Sequence, residues 1–561
     1  MEEAKVENRI PEVENTIAEI TSTTRGINTV PTKNAVSQDP EKNLNQPNAA
    51  DEIEDIQYAT GIKLATLVSA VTLTAILITL DGSILATATP KITDQFHSLP
   101  DVGWYGAAYL LTSSALQPAT GKLYAHFSIK YTYIAFIGIF ELGSLICGVA
   151  TSFNMLIVGR AVAGMGSAGV GNGALTIVSA MVPLEKRALY ISITGSFGQL
   201  GVVFGTLIGG ALTEYTTWRW CFYLNLPIGG FAVAALLWVA VPKLNKEDHK
   251  RMNLISLFHE LDIMGCLLFS PSMIMFLLAL QWGGSTYPWN SAVIIGLFCG
   301  SAGNIAVFLI WEYKKGYSAM IPFQMVKKRV IYCCGLNIFF LYANNVVTAY
   351  YLAIYFQGVR GKTPTLSGVY TLPRILGQMI CGILAGFTVI GTALAAVGSG
   401  LISTFTKNTN TGTWIGYQII AGVGRGLSIQ MPLVAVQTNV PVSQIAVSMA
   451  FLKFCQNFGG SLLLSFAETA FDIGLDHALP KYAPGVSAAT VSSAGVSGIR
   501  TIIPQDKVTG VIMAYMVGVK EVFYVVAGTT AVAVVFGCGL GWKSVKKAKN
   551  SESDERQASR A

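Results

Sequence analysis

The sequence predicts an all-α polytopic membrane protein, and three observations carry that prediction. Charged residues make up only 12% of the 561 residues, against about 25% in a soluble domain. Mean hydropathy is +0.51. The apolar residues gather in runs that reach the roughly 20 residues a helix needs to cross a bilayer.

Fourteen such runs lie near 64–86, 103–122, 132–150, 154–182, 190–213, 220–241, 262–282, 291–311, 331–357, 366–388, 389–405, 414–436, 444–470 and 520–541. Few show the polar position every turn that marks a soluble core helix. The 57 glycines suit close helix–helix approach, because lipid gives helices no hydrophobic reason to associate. Residues 1–57 are polar and acid-rich, without an apolar run or a visible cleavable signal, and read as a disordered cytosolic tail.

Basic residues concentrate on the loops of one side, which the positive-inside rule makes cytosolic. These are Lys122 and Lys130, Lys186 and Arg187, Lys243 to Arg251, Lys314 to Arg329, and Lys543 to Lys549. Both termini then lie in the cytosol and the number of spans is even. Residues 542–561 form a cytosolic tail, and residues 471–519 read as a long outer loop. The stretch Ile375–Phe405 carries no charge over 31 residues. As one helix it would be about 46 Å long, so two short helices with a turn near Gly386 to Gly391 are expected.

Four motifs recur in order. Asp81-Gly82-Ser83 with Thr89-Pro90 stands in the first span. Arg160 precedes Gly164, Gly166 and Gly169 in the fourth. Gly201, Gly205, Gly209 and Gly210 mark the fifth. Trp218-Arg219-Trp220 leads into Asn225, Pro227 and Gly229-Gly230 in the sixth. Together with Gln456 and Gly459-Gly460, this pattern resembles the fourteen-span drug:proton antiporters of the major facilitator superfamily, closest in style to fungal pumps for toxins and secondary metabolites.

That resemblance implies two six-helix bundles related by a pseudo-twofold axis, residues 58–241 and 331–541, with an additional helix pair in 242–330. It implies a substrate site between the bundles, a small organic molecule as substrate, protons as the coupling ion, and no cofactor. The expected form is a monomer in the plasma membrane, with a vacuolar or vesicular membrane as the alternative. Three features depart from the family pattern. Ala125 stands where the loop after span 2 usually has its acid. Thr206 replaces a proline. The inner loop between spans 10 and 11 is missing.

Ionisable groups inside spans are functional candidates by default. Asp81 and Glu141 can exchange a proton or meet a cationic substrate. Structural hydrogen bonding is the alternative for Asp81, and an interhelical partner for Glu141. Arg160 stays charged and needs a carboxylate or carbonyl partner. The resemblance assigns it to proton coupling, and helix anchoring is the alternative. Gly201, Gly205 and Gly209 recur every fourth residue. With Gly164 and Gly210 they serve either gating or plain packing. Asn225, Asn337, Tyr342, Asn344, Asn345, Gln378 and Gln456 are candidates for lining a substrate cavity.

Other function classes lack support. The nine cysteines are scattered without metal-ligand spacing. The five histidines, His97, His126, His249, His259 and His477, fall in or near loops and form no catalytic set. No basic-aromatic stripe points to nucleic acid. The rival expectations are a siderophore or nutrient carrier on the same scaffold, and a carrier-like protein with impaired transport.

Overall fold

The computed structural model describes residues 60–96, 102–239, 260–284, 286–383, 387–487, 490–491, 500 and 503–540. The two tails expected at 1–57 and 542–561, and the basic stretch 242–259, lie outside these residues.

Helices occupy each of the fourteen apolar runs. They are α1 (Gly61–Phe96), α2 (Val102–His126), α3 (Ile129–Gly148) and α4 (Phe153–Met181). Next come α5 (Lys186–Tyr215, interrupted at Gln199), α6 (Trp220–Trp238), α7 (Ile263–Trp282) and α8 (Ala292–Lys315). The second half holds α9 (Arg329–Val359, ending in a π-turn), α10 (Leu372–Ile383), α11 (Thr388–Ile402) and α12 (Thr411–Gln437). It closes with α13 (Ile445–Tyr482) and α14 (Gln505–Cys538). Ten of these helices are long and apolar enough to cross a membrane. The others are short (α10, α11) or carry more polar residues (α2, α13).

Local chemistry sets the helix ends. Ser152 and Ser291 cap α4 and α8 by accepting from Met155 N and Ile294 N, both at 3.3 Å. Gly316 ends α8 at φ 66°, and Lys314 and Lys315 sit in its last turn against the negative end of the helix dipole. Ile375–Phe405 folds as two helices, with α11 beginning at Thr388. Gly391 therefore lies in the first turn of α11 and not in the connection.

The segment read as a partly ordered outer loop at 471–519 is helical at both ends. Helix α13 continues to Tyr482 and α14 starts at Gln505. Hydropathy falls where a helix leaves the lipid, but the backbone hydrogen bonds continue.

In the first half α1 packs on α5 and α6, and α4 packs on α2 and α3. In the second half α9 packs on α13 and α14, and α12 packs on α10 and α11. The halves meet along two seams, α2 with α13 and α5 with α10. Helices α7 and α8 join through mutual Ser272–Ser301 hydrogen bonds. They dock beside the α2/α13 seam through Ser270 Oγ to Ala115 O at 3.0 Å and through Phe269 against Phe454.

One apolar cluster crosses both halves at the end holding Leu67, Tyr124, Leu433 and Val447. At the other end the halves have separate clusters, around Trp218 and around Phe405. The outer surface exposes Phe231, Trp238, Leu267 and Val535 by more than half, as lipid contact requires.

Candidate functional site

The first half holds a fully buried polar network on five helices. Asp81 on α1 is 0% exposed and Arg160 on α4 is 1% exposed. Arg160 Nη1 donates to Asp81 Oδ2 at 2.6 Å and Nε donates to Tyr105 O at 3.0 Å. Its guanidinium also lies 4.5 Å from the centre of the Tyr109 ring. Asn225 on α6 donates through Nδ2 to Asp81 Oδ1 at 3.2 Å and to Ser144 Oγ on α3 at 3.0 Å. Every strong charge here is met by a charge, a carbonyl or a ring face, which is what a low-dielectric interior demands.

Glu141 adjoins this network one turn before Ser144. Both of its carboxyl oxygens are buried without a hydrogen-bond partner. They face a cavity of about 10 Å³ lined by Thr74, Phe140, Val170 and Gly229, room for about one water. Gly229 lies one turn beyond Asn225. A methyl group there would sit 1.9 Å from Glu141 Oε1, so the glycine makes the space the carboxyl occupies.

Four of the five singled-out glycines lie at close helix crossings. A side chain at Gly201, Gly205 or Gly209 would strike Ile76 O, Ser83 Oγ or Ile84 on α1 within 2.5 Å. Opposite these glycines, α1 carries Thr79, Ser83 and Thr87. Thr79 and Ser83 donate across the interface to Gly198 O and Gly201 O. Gly164 admits the backbone of α2 at Tyr109 in the same way. Gly210 is different, for its nearest neighbour would be Thr365 Oγ1 at 3.7 Å.

The amides expected to line a cavity divide. Asn225 belongs to the Asp81 network. Asn337 is tied to Ala533 O at 2.8 Å inside the second bundle. Asn344 donates to Ser399 Oγ and Thr530 Oγ1 and accepts from Arg425. These three link helices within a bundle. Asn345 accepts from Arg374 at 2.8 Å. Tyr342 packs against Gly460, Gln378 is 4% exposed, and Gln456 Oε1 is buried without a partner. Arg374 and Arg425 escaped the sequence reading, although a charge inside an apolar run was the available signal.

The halves repeat one another in detail. Ala163-Gly164-Met165-Gly166 on α4 matches Ala421-Gly422-Val423-Gly424 on α12. Gly143 approaches Ala163 as Gly398 approaches Ala421. Gly164 approaches Tyr109 O as Gly422 approaches Arg374 O. In this register Gln418 stands at the place of Arg160, and it donates to Tyr370 O at 3.0 Å. The seams α2/α13 and α5/α10 exchange under the same repeat.

At the C-terminal end of α2, beside Ala125, His126 Nε2 lies 3.0 Å from Glu260 Oε2. Lys122 Nζ donates to Ser318 O at 3.0 Å. Both partners belong to the segments flanking α7 and α8. Asp262, the N-cap of α7 in a left-handed conformation (φ 51°), accepts from Trp311, Lys315 and Met320 N at 2.9 to 3.1 Å.

The comparisons with known proteins agree with this geometry. Residues 71–464 match the family model described as Major Facilitator Superfamily. The chain is 47% identical over 504 residues to the MFS-type transporter pigP of Monascus ruber, covering 87% of this chain and 88% of that protein. It is 45% identical over 526 residues to the efflux pump mlcE of Penicillium citrinum, covering 90% and 95%. Among solved structures, the human organic anion transporter MFSD10 aligns with a TM-score of 0.53 at 12% identity, covering 85% of this chain and 100% of that one. The transporter FucP in its outward conformation aligns at 0.51 and 11%, covering 86% and 99%. At these identities the two structures speak to the fold alone. The chain is a multi-pass membrane protein and belongs to the Major Facilitator Superfamily of transporters.

Proposed function

We propose that this protein is a proton-driven exporter of small organic molecules that works by alternating access, and that it acts as a monomer in the plasma membrane with both termini in the cytosol. The observation that carries the coupling is the buried Arg160–Asp81 pair at 2.6 Å, extended to α3 and α6 through Asn225 and Ser144. The pair and its partners join five helices of one bundle through a group that can take up a proton. Protonation of Asp81 discharges it, releases Arg160 from its counter-charge, and changes what holds α1 to α4 and α6. A proton that binds one state better than the other shifts their populations.

Glu141 is the entry or exit station for that proton, since it lies one turn from Ser144 of the network, keeps both carboxyl oxygens without a hydrogen-bond partner and borders the one-water cavity. The names of similar proteins, among them efflux pumps, support outward transport of an organic compound.

Inside-out plasma-membrane vesicles test this. An imposed proton gradient should drive uptake of a fluorescent organic substrate, a protonophore should stop it, and Asp81→Asn should abolish it while the protein still reaches the membrane. Transport that ignores both the gradient and Asp81 would refute the scheme. Net uptake by intact cells would mark an importer.

A further inference from the structure

Arg374 on α10 and Arg425 on α12 are 3% and 0% exposed. Among the described residues neither meets a carboxylate. Arg374 Nη1 donates to Asn345 Oδ1 at 2.8 Å, and Arg425 Nη2 donates to Asn344 Oδ1. Arg374 Nε, Arg425 Nε and Arg425 Nη1 are buried with no acceptor among the described residues. The two guanidinium groups are held by adjacent residues of α9, so two like charges share one region.

A guanidinium stays ionised, and an unpaired buried charge is expensive. Arg160 shows how this chain fixes an arginine that is fully matched by its own residues, with a carboxylate, a carbonyl and a ring. Arg374 and Arg425 have the opposite arrangement. Adjacent amides on α9 hold one arm of each, and the remaining donors wait for an acceptor. Planar guanidinium groups match an oxyanion with parallel donors. The position also fits. Arg374 stands on the seam helix α10 where the repeat places Tyr109 on the seam helix α2.

We infer that Arg374 and Arg425 bind an anionic group, such as a carboxylate, on the molecule the protein carries; this rests on the export function proposed above and names the chemistry of its substrate. Asn344 and Asn345 are the positioning residues. They aim the two guanidinium groups and supply no charge that would compete with the ligand.

The test uses the purified full-length protein with pyrenebutyrate and its methyl ester as probes, with binding read by energy transfer from tryptophan. The wild-type protein should bind the acid about tenfold or more tightly than the ester, the effect expected of charged hydrogen bonds. Arg374→Gln and Arg425→Gln should bring the acid to the level of the ester, and Arg374→Lys should keep part of the difference. Chloride at high concentration should compete with the acid and spare the ester. Equal binding of acid and ester by the wild-type protein overturns the inference, and that comparison decides even if the variants fail to fold. So does an acid preference that survives both glutamine variants. Gradient-driven movement in proteoliposomes separates the two proposals. Export of the ester with no binding preference for the acid overturns the anion site alone. An acid preference without any gradient-driven movement overturns the export function and supports the site.

Discussion

Gln418 donates to the backbone carbonyl of Tyr370 across 3.0 Å, at the place in the second bundle that Arg160 holds in the first. The two halves thus share a helix-crossing geometry but not its charge. The ion pair of α1 and α4 has a neutral amide as its counterpart, and the buried arginines described in the second half stand elsewhere, at Arg374 and Arg425. Coupling chemistry and the proposed ligand chemistry therefore fall in different bundles.

Removing one partner of a buried ion pair costs about 3–5 kcal/mol, and replacing both costs much less. Asp81→Asn or Arg160→Ala should lower the unfolding temperature and abolish gradient-driven transport. The double variant Asp81→Asn with Arg160→Gln copies the neutral second bundle. It should recover most of the stability and remain uncoupled. Thermal unfolding in detergent and vesicle transport measure the two effects, and restored transport in the double variant would remove the pair from the mechanism.

The α1/α5 crossing depends on Gly205, where a methyl group would lie 1.9 Å from Ser83 Oγ. Gly205→Ala should destabilise by about 1–3 kcal/mol, the usual cost of overpacking, and Gly205→Leu should prevent assembly. Gly210→Ala meets only an ordinary contact with Thr365 at 3.7 Å and should fall within about 0.5 kcal/mol of wild type. Equal losses at the two positions would contradict this packing.

Glu141→Gln keeps the shape of the carboxyl and removes its proton chemistry. The variant should fold, transport more slowly, and lose much of the dependence of transport on external pH. Gly229→Ala should act in the same direction by pushing the carboxyl out of its space. Initial rates across a pH series check this, and an unaltered profile in Glu141→Gln would show that Glu141 takes no part.

The ties beneath α7 and α8 should differ in strength. The His126–Glu260 contact is partly exposed, with Glu260 about half open, and a double-mutant cycle should give less than about 1 kcal/mol. Asp262 is fully buried, and Asp262→Ala leaves the Lys315 charge and the Trp311 donor without this acceptor, whereas Met320 N keeps Glu312 Oε1 at 3.2 Å. That loss should reach about 3–5 kcal/mol.

Hydropathy and length made the helices legible, because a bilayer imposes both on every segment that crosses it. They did not show where helices α13 and α14 end, since a helix can continue into water, and 471–482 and 505–519 are helical beyond the apolar runs. Asp81, Arg160 and Glu141 stood out as charges in apolar surroundings, and the structure brings the first two together. Arg374 and Arg425 carried the same signal. The partners of each group were not legible. That Asn225 meets Asp81, whereas Asn344 meets Arg425, depends on helix rotation, which hydropathy leaves open. The hydroxyls of Thr79, Ser83 and Thr87 opposite the glycines of α5 were hidden for the same reason, because each looks like an ordinary small polar residue until its neighbour is known.

Gly121 on α2 leaves so little room that a methyl group there would come within 2.8 Å of Ala450 and 2.9 Å of the Val447 backbone on α13. The only hydrogen bond found across this seam among the described residues is a long one, Asn457 to Gln117 at 3.4 Å. Parting these surfaces breaks few hydrogen bonds, so its cost lies mainly in apolar contact, including the cluster that crosses both halves. Apolar contact has no preferred direction, so the same faces can meet again at a slightly different angle without stranding a polar group.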